Sequence, residues 1–320
     1  MHSLHFVNCL CTLTGTRMEG VQMTSATSFA GGKPVFGVAY LDNEVYVLRR
    51  RTPDIEVYEV SAYKLTSRLP VSNLRNPLDV AACSQTKLVY VVDGLDPSGK
   101  VFGVETRPTS ENAASSSSSS SRSSGSGCLS WSVGEMAMNV SVTSTATVVV
   151  TCGKVAQLRE FTGDGQLIRQ ISMNADLVSA QHAVQLTSPD LFVVAHGWMD
   201  DALHRVCVVD ARDPDTPPTD VYGQQRGSAR SNLLHNPSHV SVDSRRQCVF
   251  VVDMGNRRVV ALDSSLCQLA DVPVVVDKKR LPSRICLDEE RCLLYVACNE
   301  WKDVFWTSGT VNVFSVNYKQ

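Results

Sequence analysis

The chain has 320 residues, with 30 Lys and Arg against 32 Asp and Glu for a formal net charge of −2. This balance gives no overall field that would favour nucleic acid or an anionic membrane, and no apolar run approaches the length that spans a bilayer. A hydrophobic share of 43% is ordinary for a globular chain, and the length suits one large domain or two small ones.

From the start, residues 1–11 form a weak leader: Asn8 breaks the apolar stretch and no basic segment precedes it. The eleven cysteines are odd in number, and several, such as Cys207, Cys248, Cys286 and Cys298, lie within strand-like runs. They read as reduced, buried thiols and point to a cytoplasmic location. Cys9 and Cys11 are too close for a zinc knuckle, and no Cys-x-x-Cys pair exists.

Six copies of one pattern follow. The clearest reads Asn236-Pro237-Ser238-His239-Val240-Ser241-Val242-Asp243, then Val249-Phe250-Val251-Val252-Asp253, then Gly255-Asn256-Arg257-Arg258, then Val259-Val260-Ala261-Leu262-Asp263. The residue before the first strand valine or isoleucine is Gly37, Asp79, Asn139, His239 and Arg284 in five copies, and His182, followed by Ala183, marks the fourth, giving spacings of 42, 60, 43, 57 and 45 residues. The fourth copy is ambiguous by one residue. One long interval holds the serine-rich stretch 107–127, expected to be a disordered loop of the second blade. The other holds a loop near Trp198 and the proline-rich segment 213–218. The second strand of each copy (45–48, 88–92, 148–150, 191–194, 249–252 and 293–296) is almost wholly apolar, which implies burial on both faces. Such a period predicts stacked four-stranded sheets.

The last copy supplies three strands, 284–288, 293–298 and 310–316. An N-terminal strand is expected to supply the fourth and close the ring, with 21–29 preferred and 4–13 the alternative.

The run from Asn236-Pro237 to Leu262-Asp263, and the turn Phe161-Thr162-Gly163-Asp164-Gly165-Gln166-Leu167-Ile168, resemble NHL-repeat β-propellers over about residues 30–316. The resemblance implies an all-β fold: one six-bladed β-propeller of four-stranded antiparallel blades spanning 1–320, closed by an N-terminal strand. That family includes protein-binding and RNA-binding modules on ubiquitin-ligase chains. Related six-bladed propellers include metal-dependent lyases and lactonases.

Propeller topology places the starts of the first strands and the second-to-third-strand loops on one face. Trp198, Met199, Trp301, Phe305 and Trp306 fall there, beside Arg49, Arg50 and Arg51 and beside Arg257 and Arg258. Aromatics and arginine dominate protein-binding hot spots. A basic rim beside aromatics also suits single-stranded RNA, but Asp200, Asp201, Glu300 and Asp303 stand on the same loops. The channel mouth is the second candidate site, with Asp79, Asn139, His182, His239 and Arg284. A zinc site there wants a third histidine and a calcium site more oxygen ligands, so no metal and no cofactor is expected. Asp93 and Asp253 end second strands and should cap turns. There is no nucleophile elbow, phosphate loop or His-Glu-x-x-His.

The expectation is a monomeric, non-enzymatic module binding a protein or peptide on the loop-bearing face. The alternatives are a metal-dependent hydrolase or lyase at the channel mouth and an RNA-binding propeller. Excision of residues 109–125 should change stability by less than about 1 kcal/mol in denaturant titration.

Overall fold

The computed structural model describes residues 20–319 except 95–96, 107–127, 175, 178, 200, 215, 219, 224–232, 275–278 and 304. The serine-rich stretch and the alternative closing strand 4–13 therefore lie outside the described residues, as do Cys9 and Cys11.

The described residues form six four-stranded sheets, antiparallel throughout. The first strands are Val35–Leu41, Pro77–Cys83, Asn139–Val142, Ala180–Gln185, Pro237–Asp243 and Arg280–Asp288. Each contacts the first strand of the next blade, and that of blade 6 contacts that of blade 1, so the chain is a six-bladed β-propeller. The second strands carry the apolar runs because a neighbouring blade covers each of their faces. Cys248–Asp253 is buried at every position, and Glu44–Arg49 at all but its first. Outer strands such as Leu65–Pro70 are mostly exposed and polar.

The core is distributed between blades. Ala39, Tyr46 and Leu48 of blade 1, for example, pack with Val80, Val91 and Phe102 of blade 2. Tyr46, Tyr90, Phe250 and Tyr295 are fully buried on second strands, opposite Ala39, Ala81, Ser241 and Cys286 respectively. The small inner partner leaves room for the ring, whose burial stabilises the blade by about 2–3 kcal/mol.

Turn chemistry explains the motif residues. Asp93 accepts the N–H groups of Arg75 (2.7 Å) and Asn76 (3.1 Å). Asp253 accepts His235 N–H (2.7 Å), Asn256 Nδ2 (2.8 Å) and Arg258 Nε (2.6 Å). Both carboxylates tie the start of the first strand to the end of the second. In the turn after Phe161, Gly165 has φ +95, and a Cβ there would meet the Trp131 ring at 2.5 Å, so the position requires glycine.

Closure follows the preferred expectation. The strand Gly20–Gly32 pairs antiparallel with Phe305–Lys319 as the outermost strand of blade 6. Its Val21 and Met23 pack with Phe250 and Cys248 of blade 5, while Phe29 lies against Tyr58 (5.1 Å) and Tyr63 (4.7 Å) of blade 1. The closing strand thus seals two blade interfaces. One boundary differs from expectation: the second strand of blade 6 runs to Lys302 and the third starts at Phe305, so the anticipated loop 299–309 is instead a hairpin that pairs Trp301 with Trp306. Removal of residues 1–30 should yield insoluble or oligomeric protein by size-exclusion chromatography, because it bares a sheet edge and two apolar interfaces at once. A soluble, monomeric truncated protein would contradict this account of closure.

Candidate functional site

Each first strand is the innermost of its blade, so its free edge faces the channel with unpaired backbone groups. Those groups need partners when buried. Five of the six marker residues supply them. Asp79 accepts Val140 N–H (3.1 Å), His182 Nδ1 accepts Val240 N–H (3.2 Å), and His239 Nδ1 accepts Ile285 N–H (3.5 Å). Asn139 Nδ2 donates to Gln181 O. Each of these contacts reaches the next blade. The sixth marker is Gly37, where a Cβ would meet Val80 Cγ1 at 2.6 Å. With no side chain in blade 1, Arg284 of blade 6 extends beyond it and donates to Leu78 O of blade 2 (3.2 Å).

All six markers occupy one level. Gly37, Asp79, His182, His239 and Arg284 each follow a one-residue bulge in the first strand, and Asn139 opens its strand. The alignment of His182 is thereby settled. The expected channel-mouth set is in fact a buried layer. Asp79 is 1% exposed, His182 2% and His239 5%.

Side chains cross the channel at this level. The His182 and His239 rings stack at 3.7 Å with a 12° tilt. His239 Nε2 lies 3.5 Å and His182 Nε2 3.9 Å from Asp79 Oδ2, and Arg284 Nε lies 3.6 Å from Asp79 Oδ1. Burial holds both imidazoles well below their usual range, reinforced by His239 at His182 and by Arg284 at His239. Burial pushes the Asp79 carboxyl up, against the pull of Arg284 and His182. Burial lowers Arg284, and Asp79 opposes that shift.

Hydrogen bonding assigns the tautomers. Because both Nδ1 atoms accept backbone N–H groups, each neutral ring carries its proton on Nε2, aimed at Asp79 or at Val140 O, 3.4 Å from His182. The ligand atoms of Asp79, His182 and His239 lie within 4.8 Å of one another. A metal on Nε2 would move each proton to Nδ1, where a donor would face a donor, and Arg284 would stand beside the ion. The donor set therefore does not fit a divalent metal.

Above this layer, on the loop-bearing face, a cavity of ≈ 320 Å³ opens at the channel mouth. Its polar floor includes Asn139 and Arg284, and its walls include Trp198, Trp306, Met254 and Phe36. Trp198 and Trp306 are half-buried and pack on the core between blades 5 and 6. The two candidate sites of the sequence reading are thus one: two of its tryptophans wall the cavity that the channel residues floor. Met199, Trp301 and Phe305 remain exposed on the same face, at 49%, 41% and 62%.

The expected basic rim is reduced. Arg49 is buried, paired with Glu56 at 2.9 Å, and donates to Ala30 O (2.5 Å) and Lys33 O (2.6 Å), tying the closing strand to blade 1. Arg258 is buried between Asp253 (2.6 Å) and Asp271 (2.5 Å). Neither can meet a partner. Arg51 and Arg257 are exposed, and Arg50 lies 5.5 Å over the Phe36 ring. Asp200 is outside the described residues. Sequence reading missed Phe36, Met138, Lys154 and Met254 as lining residues. Met138, immediately before the marker Asn139, carried the available signal: residues just before the markers face the mouth.

No protein-family model matches this chain, and no curated protein matches it. Solved structures do. A chain of Kuenenia stuttgartiensis hydrazine synthase aligns with a TM-score of 0.55 at 13% identity, covering 93% of this chain and 97% of that one. The β-propeller domain of Cps50 (Swd1) from Myceliophteria thermophila aligns with a TM-score of 0.54 at 10% identity, covering 88% and 84%. At these identities the likeness is one of fold.

Well above the ordinary imidazole value of about 6.5 both rings are neutral, folded or unfolded. On acidification the unfolded chain binds two protons that the buried rings refuse, so stability falls as pH drops below the unfolded value. The raised Asp79 carboxyl acts in the opposite sense at the acid end. Denaturant titration between about pH 7.5 and about pH 5.5 should show a loss on the order of 2 kcal/mol. The double substitution His182→Asn and His239→Asn, which keeps an acceptor near each Nδ1, should flatten that slope. An unchanged slope in the double variant would refute the assignment.

Proposed function

We propose that this chain is a non-enzymatic interaction module of the NHL-repeat kind, binding a protein or peptide at the channel mouth on its loop-bearing face. The observation that carries the reading is the cavity walled by Trp198 and Trp306, bordered on the same face by exposed Met199, Trp301 and Phe305. Exposed large apolar side chains beside a preformed concave site are the usual mark of recognition. Half-buried tryptophans supply anchoring area at low entropic cost.

RNA recognition has less support. Two of the five arginines proposed for the rim are locked in buried ion pairs, and Asp201, Glu300 and Asp303 stand on the same loops. The tautomers of His182 and His239 weigh against a metal-dependent hydrolase or lyase. The nine free cysteines among the described residues accord with a reducing, cytoplasmic setting. Several are buried with thiols pushed up to about 12, as at Cys207 and Cys298, which suits inert core packing.

Panning a random peptide library against the purified chain should return a consensus sequence. A synthetic peptide of that sequence should shift the indole N–H resonances of Trp198 and Trp306. The double variant Trp301→Ala and Phe305→Ala should weaken its binding about tenfold or more while the far-UV circular dichroism spectrum and cooperative unfolding are retained, since the ring contact of Trp301 is with Trp306 across the hairpin tip and Phe305 is mostly exposed. Binding indifferent to this change and silent at both indoles would count against the reading.

A further inference from the structure

The cavity has a chemical polarity of its own. Its charged lining residues are Lys154 and Arg284, and no carboxylate lines it among the described residues. Lys154 is exposed and makes no ion pair among the described residues. The Arg284 guanidinium donates to Ser283 O (2.9 Å) and to Leu78 O (3.2 Å), and its Nε lies 3.6 Å from Asp79 Oδ1 beneath the cavity, so Lys154 is the cation of the lining that has no carboxylate beside it among the described residues. Asn139 contributes an acceptor: its Oδ1 is buried without a donor among the described residues, while its Nδ2 is held by Gln181 O. A buried acceptor without a donor costs about 1–3 kcal/mol, so an incoming N–H there is favoured.

The cavity is also blind. The stacked imidazoles, the His239–Asp79 contact and the Arg284–Leu78 bond span the channel directly beneath it. A second cavity, of ≈ 280 Å³ and lined by His182 and His239, lies on the far side of that layer. A polypeptide cannot thread through, so a polypeptide partner can fill the pit only with a side chain or a chain end. An apolar side chain alone brings no group for Lys154 or Asn139 Oδ1, and an acidic side chain alone leaves the tryptophan wall uncovered. The last residue of a chain brings a carboxylate, an N–H and a side chain together. A volume near the lower end for small-ligand sites suits one such residue.

Building on the interaction reading above, we infer that this pit captures the C-terminus of a partner polypeptide ending in a large apolar residue. The side chain packs between Trp198 and Trp306, the carboxylate meets Lys154 and Arg284, and the terminal N–H donates to Asn139 Oδ1.

Three probes separate the possibilities by titration while the Trp198 and Trp306 indole N–H resonances are followed: N-acetylphenylalanine, its primary amide, and N-acetyl-aspartyl-phenylalaninamide. The first should bind at least about tenfold more tightly than either of the others, the size of one charge-assisted hydrogen bond. Lys154→Met, an exposed change that leaves the fold intact, should abolish most of that preference without altering affinity for the amide. Equal binding of acid and amide overturns the anionic assignment while leaving an apolar recognition site. Equal or tighter binding of the capped aspartyl dipeptide overturns the chain-end assignment, and an acid preference undiminished by Lys154→Met overturns the placement of the carboxylate at Lys154. Absence of indole shifts with all three probes at millimolar concentration overturns the assignment and removes this cavity from the interaction reading. The panning experiment then tests the rest of the face separately.

Discussion

Six inner strands each turn a bare backbone edge toward a common axis, and the architecture depends on those edges being satisfied. In a single sheet an edge meets water. Here the edges converge in a narrow, mostly buried space, where an unpaired amide is costly. The solution is a circular relay in which four markers reach the backbone of the next blade, and Arg284 reaches past the glycine of blade 1 to blade 2. The relay fixes the residue types: an acceptor is needed for the next blade's N–H, and Asp79, His182 and His239 provide it. It also fixes protonation, because an imidazole that accepts at Nδ1 must donate at Nε2.

Protonation in turn shapes the floor of the cavity. The two imidazoles stack as neutral rings, and His239 directs its Nε2–H at Asp79 while His182 directs its own at Val140 O. A buried ion pair such as that of Asp79 with Arg284 contributes little net stability and serves better to specify one arrangement. In this chain the pair holds Arg284 in place, where it forms part of the cavity's lining. The polar layer required for blade packing is therefore also what gives the cavity a cationic base under an aromatic wall.

Much of the fold was legible in the sequence because its signals are local and repeated. Val249 through Val252 could only be a strand covered on both sides, and Asp253 with Asn256 and Arg258 writes its turn within a few residues. The markers were legible because a valine or isoleucine follows five of them directly. His182 was ambiguous because Ala183 follows it and the bulge at Gln181 adds a residue that periodicity cannot assign. The rim arginines misled for a related reason. Neighbouring residues at a strand end point opposite ways, so Arg49 and Arg258 turn inward to carboxylates while Arg50 and Arg257 do not. The cavity was illegible as a unit, because Trp198, Met254, Trp306 and Asn139 meet only when blades from distant parts of the sequence close the ring.

The clasp also has a consequence in time. The strand Gly20–Gly32 emerges from the ribosome before every blade, yet its partner Phe305–Lys319 emerges after all the rest. Throughout synthesis the early strand has no native neighbour, and the growing arc of blades carries two uncapped ends. Contacts so distant along the chain are slow to form, and the waiting segments are those most prone to join another copy. Closing the ring therefore requires a long-range pairing that cannot precede synthesis of the last strand. Its rate, set against the rate of encounter between nascent chains, governs how much of the product is a closed ring rather than a strand-swapped aggregate.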